Sequence, residues 1–480
     1  MNKYINKVSS VVCCLSAVVM LGSCGVTKRA KELYSKYDRP DQFSNQNIAA
    51  ENVTRDAAQY AATSGESFGD VDWHKVFTDP HLQSLIQYAL EHNVDLLNAT
   101  ESIKMAEAQL STARKGYIPT AAFAPSGTET GIVSGAARGN WFESYALPLS
   151  ASWDAGLWGN LITAKRNAQV GLIAADDYQQ VVRSRIICGV ANLYYSTLLL
   201  DEQLKITKEN EKNLKEIVQM MKMQYQLRGA KSTSVEAAES NLLNVQASIV
   251  TIKQQIHANE NSLSLLVGRA ASSISRGTLA QQSLPSSFST GIPVETLLNR
   301  PDVHSSEMAL AQCFYGVQSA KQNFLPSLKL SATGTFTNGS GVQVSNPGQM
   351  ILSFVASLTA PLYQQGKLVA GLKVAEAKYN QAANTYRNSI LKAGSEVSDA
   401  LILYTSSKEK AEIDAKRVEV LKKNVEHTQM LYRMQSGNTY LEVLTAETNL
   451  LSAELSKASD EFNKMQAVVN LYNALGGGRK

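Results

Sequence analysis

The sequence is short of the residues that do chemistry. Six histidines (His74, His81, His92, His257, His304 and His427) are scattered through 480 residues, with no His-x-x-x-His pair and no Cys/His cluster. The spacings that hold zinc are therefore missing. No nucleophile, base and orienter stand together, which argues against an enzyme. Cysteine is also scarce: five residues, of which Cys13 and Cys14 lie in an N-terminal apolar run. Cys188 and Cys313 lie in apolar helical stretches (IICGVANLYY and LAQCFYGV). They read there as small buried hydrophobes, and two thiols are not a disulfide framework. Charge of one sign is lacking too, since 46 basic residues face 42 acidic ones. No basic run is interleaved with aromatics, so nothing points to nucleic acid. Phe and Trp are few, at 11 and 4, while small residues, Gln, Asn and Ser abound. That balance suits long, closely packed helices better than a bulky core. Finally, no apolar run beyond the N-terminus reaches the roughly 18–20 residues of a transmembrane helix. Any spanning part must be a closed β-barrel.

The N-terminus carries what the rest lacks. Lys3 and Lys7 precede an apolar run from Val8 to Leu21, then Leu21-Gly22-Ser23-Cys24. A basic start, a short apolar stretch and small residues before a cut site make a secretory signal over residues 1–23. The last four residues resemble the bacterial lipobox, which implies that Cys24 becomes the first mature residue and carries covalent lipid. Each buried CH₂ contributes about 0.8 kcal/mol, so two or three acyl chains hold a protein firmly at a membrane. Residues 24–75 are mostly polar and aperiodic, and read as a lipidated N-terminal tether and wrapping segment.

The dominant feature is an internal duplication, with repeats expected over residues 76–268 and 294–480 and a linker, residues 269–293, between them. Tyr432–Ala446 (YRMQSGNTYLEVLTA) reads as a sharp turn between two very long helices, and Tyr225–Ala238 (YQLRGAKSTSVEAA) is its twin. The two tyrosines are 207 positions apart, as are Pro119 and Pro326, and Gly159 and Gly366. After the turn the offset becomes 208, matching Glu239 to Glu447 and Gly268 to Gly476. The register slips by one residue at the turn.

Each half predicts helix, strand, strand, very long helix, turn and helix. Asp79-Pro80 is an N-cap with proline in the first turn, opening one helix that runs to Gly116. From Tyr145, the larger apolar residues Tyr145, Leu147, Leu149, Ala151 and Trp153 alternate with Ala146, Pro148, Ser150, Ser152 and Asp154, which is a strand with one apolar face. Ala121–Ser126 is its weaker partner. In the second half the strands are Leu328–Thr337 and Leu352–Ala360. The long helices begin near Asn160 and near Lys367 and continue without proline to the two turns. At a rise of 1.5 Å per residue each is about 100 Å long. Seam residues such as Leu368, Leu372, Ala375, Tyr379 and Ala382 are spaced three and four apart, as in coiled coils. Gly476-Gly477-Gly478 reads as a helix stop and flexible tail rather than a phosphate loop. Four strands per chain cannot close a barrel, which takes at least about eight. Two copies would give a filled interior, and three copies room for a channel.

These features together resemble the TolC-like outer membrane efflux family, in its lipoprotein (NodT-type) branch. The resemblance rests on the lipobox, the duplicated plan, Ile118-Pro119 with Leu325-Pro326, Trp153-Asp154 with Leu157-Trp158-Gly159, Asn299-Arg300-Pro301-Asp302-Val303, and Thr439-Tyr440-Leu441-Glu442-Val443-Leu444. It covers essentially the whole mature chain. It implies a mainly α protein with a membrane β part: a homotrimer with a 12-stranded β-barrel in outer-membrane lipid above a 12-helix periplasmic α-barrel. It further implies a periplasmic adaptor (membrane fusion) protein docking at the hairpin tips, an inner-membrane RND-type pump that supplies the energy, and no cofactor beyond the lipid on Cys24. The tip and docking positions are then Gly229, Ser232, Gly437 and Thr439. The family's second-tip glycine would fall at Ser436, so Gly437 departs from the pattern by one. Glu442 and Glu236 would form a gate of repelling carboxylates, with Arg228, Lys231 and Arg433 bridging to them. Solvated helix-end charges are the alternative for these residues, and Tyr225 and Tyr432 read as packing residues.

Three functions stay in view at this point. The first is a passive multidrug-type efflux duct. The second is the exit channel of a type I protein secretion system, which shares the fold. The third, a lipid-anchored coiled-coil spacer, explains the heptads but not the alternating strands.

Overall fold

The computed structural model describes residues 68–131, 133–136, 139, 141–227, 231–283, 285, 300–337, 349–434 and 440–479. Cys24, Arg228, Gly229, Gly437 and Thr439 lie outside the described residues. In chain order the elements are α1 (Trp73–Val76), α2 (Pro80–His92), α3 (Val94–Lys115), β1 (Thr120–Phe123), β2 (Ser126–Gly131), β3 (Trp141–Asp154), α4 (Asn160–Gln226) and α5 (Ser232–Val267). The second half gives α6 (Pro301–Gln322), β4 (Ser327–Thr337), β5 (Gln349–Thr359), α7 (Lys367–Arg433) and α8 (Tyr440–Ala474). Helices α4 and α7 are both 67 residues long. Both their starts and their ends are offset by 207, while the starts of α5 and α8 are offset by 208. The slip therefore falls in the turns, as the repeat predicts.

The chain divides into two compact units that cut across the repeats, one built on Lys104–Ile173 and Glu307–Arg387, the other on Ala174–Ser306, Asn388–Lys480 and the described chain up to Ile103. In the first unit one antiparallel sheet has the order β1-β3-β4-β5, with β2 also on β3. The expected single partner of β3 is thus two segments. The reason is proline: Pro125 breaks the edge, Pro148 lies on β3 beside the gap, and neither can donate to the ladder. Only Ala124 N to Pro148 O, at 3.3 Å, spans it. Below the sheet, Trp158 Nε1 donates to Pro326 O at 2.5 Å and Gln322 Nε2 donates to Trp158 O at 3.1 Å. These bonds fix where the strands return to helix.

In the second unit the core gathers Tyr194, Tyr195, Leu198, Leu263 and Tyr472, all less than 2% exposed. Two expectations are corrected here. The helix from Asp79 is not continuous. Asn93 keeps its N–H on Ala89 O, but its Oδ1 accepts from Asp95 N at 2.9 Å and Leu96 N at 3.1 Å, capping a new helix. Asn93 Nδ2 also donates to Leu266 O at 2.7 Å, beside Gly268, whose φ of +86° and approach to His92 O leave no room for a Cβ. The second correction is the C-terminal glycine run, which is no flexible tail. Gly476, Gly477 and Gly478 are buried; Gly478 N donates to Tyr472 Oη at 2.9 Å, and Ser184 Oγ donates to Gly477 O. Tyr472 in turn donates to Val71 O at 2.8 Å, and Arg479 pairs with Asp70, so the two ends of the described chain are tied together.

Residues 269–283 are likewise pinned rather than free. Arg276 donates to Asp201 at 2.5 and 3.0 Å and to Glu260 at 2.5 Å. Asp79 receives Tyr194 Oη at 2.6 Å and Gln282 Nε2 at 2.7 Å. Burial alone would raise the Asp79 carboxyl, but the bonds from Tyr194, Gln282 and the His81 N–H hold it below its ordinary value.

Candidate functional site

Residues paired directly across an antiparallel ladder share a face. The register therefore reads out both faces of the sheet. One carries Leu147–Phe336–Met350, Leu149–Gly334–Leu352, Ala151–Ala332–Phe354 and Trp153–Leu330–Ala356. The other carries Ser150–Thr333–Ser353, Ser152–Ser331–Val355 and Asp154–Lys329–Ser357. The alternation in the sequence is thus in register across three strands, although Ile351 and Val355 interrupt the polar face. The apolar face is open to its surroundings, with Phe354 79% and Leu149 61% exposed. An apolar face this continuous marks a surface that something apolar covers. The outer edges, β5 on one side and β1 with β2 on the other, have no partner strand among the described residues.

The hairpin ends lie in the second unit. Leu214, Ile217, Val218 and Met221 of α4 pack with Ala238 of α5 and Val443 of α8, and Tyr432 of α7 lies against this cluster. Tyr432 Oη donates to Gln224 Oε1 at 2.6 Å and touches Met221 Sδ at 2.8 Å. It is a packing residue, as expected; its twin Tyr225 is half exposed. Ser232, Glu236, Arg433 and Glu442 are all exposed. Among the described residues no ion pair joins Glu236 or Glu442 to Lys231 or Arg433. Arg433 instead lines a cleft with Tyr432 and Val443.

One residue near the tips escaped the sequence reading. Glu447 of α8 is only 2% exposed. Its Oε1 accepts from Gln429 Nε2 at 2.6 Å, and Asn210 Nδ2 approaches Oε2 at 3.4 Å. Burial pushes this carboxyl above its ordinary value against a smaller downward pull from Gln429 and Asn213, and nearby Glu454 adds to the rise. The signal lay in the repeat: at the 207 offset, the place of Lys222 is taken by Gln429. Cys188 is buried and free, and burial pushes its thiol up to about 12, which makes it inert. Among the described residues no group of His, Cys, Asp and Glu could hold a metal, and no helix is long and apolar enough to cross a membrane.

A sheet with one lipid-compatible face and two open edges, carried on a chain of long paired helical hairpins, is the plan of an outer-membrane channel subunit. The chain belongs to the outer membrane efflux protein family, whose sequence profile matches residues 85–269 and 292–477. OpmQ of Pseudomonas putida, a pyoverdine export outer membrane protein, is 28% identical over 430 residues, spanning 87% of this chain and 90% of its own. CusC of Escherichia coli, a cation efflux system protein, is 25% identical over 418 residues, with 86% and 90% covered. Among solved structures, the outer-membrane channel OprN matches with a TM-score of 0.79 at 23% identity over 88% of this chain and 96% of its own. The open-state MtrE outer membrane channel of Neisseria gonorrhoeae matches with a TM-score of 0.75 at 24% identity, covering 88% and 95%. These two share the fold. The protein is an outer-membrane efflux channel, the outer component of an efflux system, and not an enzyme.

Proposed function

We propose that three copies of the chain join edge to edge, β5 of one against β1 and β2 of the next, into a 12-stranded barrel. The observation that carries this reading is the sheet itself: one apolar face, one largely hydroxyl-bearing face, and two open edges. In hydrocarbon each unpaired backbone group costs several kcal/mol, so such edges must be closed, and three copies leave a lumen that two do not. The apolar face meets outer-membrane lipid and the Ser/Thr face lines water. Lipid on Cys24 adds a second hold on the membrane. The long hairpins form the periplasmic tunnel, where a periplasmic adaptor docks at the tips and links the duct to an inner-membrane pump of the RND type. The duct is passive and exports small molecules.

The relatives' cargoes differ (pyoverdine for OpmQ, cations for CusC), which agrees with cargo selection in the pump and not in a Ser/Thr-lined wall. Type I protein secretion shares the fold and remains the second reading; the kinship with efflux components favours the first. Two measurements test the proposal. Detergent-extracted protein should migrate as a trimer that heating converts to monomer; a monomer before heating contradicts the assembly. A deletion strain should become more sensitive to dyes, detergents or antibiotics, and an unchanged profile counts against small-molecule efflux.

A further inference from the structure

The internal duplication allows one hairpin to be compared with the other, position by position. In the first, Glu239 pairs with Lys222 at 2.7 Å, both partly exposed. In the second, Glu447 stands for Glu239 and Gln429 for Lys222. The carboxyl is kept and the cation is lost. The site has also moved inward, so the Glu447 carboxyl is buried where α4, α7 and α8 meet, held by the amides of Asn210 and Gln429. A buried carboxylate without a cation is costly, and the group lowers that cost by taking a proton.

The charged groups around it do not supply the missing cation. From α4, Glu211 is held by Lys215 at 2.6 Å, and Glu216 lines a cleft of about 210 Å³ near the site together with Asn213. From α7, Lys422, Glu426 and Arg433 line the same cleft, and Lys422 is committed to Glu454 of α8 at 3.0 Å. On α8 itself Glu442 is exposed, and on α5 Glu239 is the one paired with Lys222. Among the described residues none forms an ion pair with Glu447.

We propose that Glu447 is a proton-operated joint: protonated, it seats the first turns of α8 on α4 and α7; ionised, it loosens them. The sign follows from linkage. A carboxyl raised in the folded state binds its proton more tightly folded than unfolded. Packing is therefore favoured while the group is protonated, and is lost as pH rises through the raised folded value. Acid tightens this end of the second hairpin, and the first hairpin, with its Lys222–Glu239 pair, lacks the response. That the joint would bias the duct towards closure in acid rests on the export reading above; the joint itself does not.

The test is hydrogen–deuterium exchange of the detergent-purified full-length protein at steps from about pH 4 to about pH 8, corrected for intrinsic exchange chemistry. Protection of peptides spanning residues 440–454 should fall several-fold as pH rises, while peptides spanning residues 232–246 stay level. Glu447→Gln should abolish the fall by removing the titrating group. Gln429→Lys should abolish it by restoring the cation of the first hairpin. An unchanged parent, or a Glu447→Gln variant that keeps the parent's fall, overturns the proposal. If Glu447→Gln does not fold, Gln429→Lys decides in the same way. Because exchange is read without transport, a failed joint and a failed channel give different results.

Discussion

Arg276 satisfies two acids at once, and that decides what its loss does. Its side chain is 15% exposed and that of Glu260 10%, so Arg276→Ala leaves the buried Glu260 carboxylate to the exposed His257, 3.7 Å away, and the Ile274 N–H at 3.4 Å. Removing one partner of such a pair costs about 3–5 kcal/mol, whereas Lys422→Ala, which breaks the more exposed pair with Glu454, should cost no more than about 1 kcal/mol. Denaturant midpoints of the two variants against the parent check the contrast; equal shifts would mean that Arg276 is not the tie it looks to be. Gly477→Ala should also destabilise, by about 1–3 kcal/mol, because a Cβ there would lie 2.5 Å from the rigid Tyr472 ring. Single residues were only partly legible in the sequence. The inert Cys188 and the packing role of Tyr432 could be read from local apolar text. Arg276 could not, because its partner Asp201 is 75 positions away and a polar linker shows no period. The glycine run was misread for the same reason: three glycines after a helix look alike whether they are free or folded back against Tyr472.

At the scale of elements, the strands were legible because period two with one apolar face survives folding. The register adds that the faces agree across β3, β4 and β5. Leu149→Arg should therefore impair insertion, at a cost of about 2–4 kcal/mol near the bilayer midplane, while Ser150→Arg on the other face should be tolerated. The yield of heat-modifiable protein in outer-membrane fractions separates them, and equal yields would deny the sidedness. The break at Asn93 was hidden because the apolar spacing runs on through it; only the side chain's bonds to Asp95 N and Leu96 N reveal the new cap. At the tips, Glu442→Arg or Gly437→Pro should abolish or deregulate export while leaving the proposed trimer and its barrel intact. Drug-susceptibility assays paired with unheated gels read both halves of that statement, and loss of the trimer would make the stretch structural.

At the scale of the whole molecule, the duplication was the most legible feature, since a 207-residue offset is visible in letters alone and reappears in the equal lengths of α4 and α7. What the letters hid is where the halves differ. Gln429 in place of Lys222 is a single substitution, and its effect depends on burial that no pattern of types displays. One chain brings an open sheet, and the edges of that sheet make the strongest demand on its surroundings. Ion conductance of the purified protein in a planar lipid bilayer tests the central claim most directly. Stable, discrete conductance steps are predicted, because edge-to-edge closure of three sheets leaves a water-filled lumen. Protein that binds the bilayer yet passes no current would contradict that account.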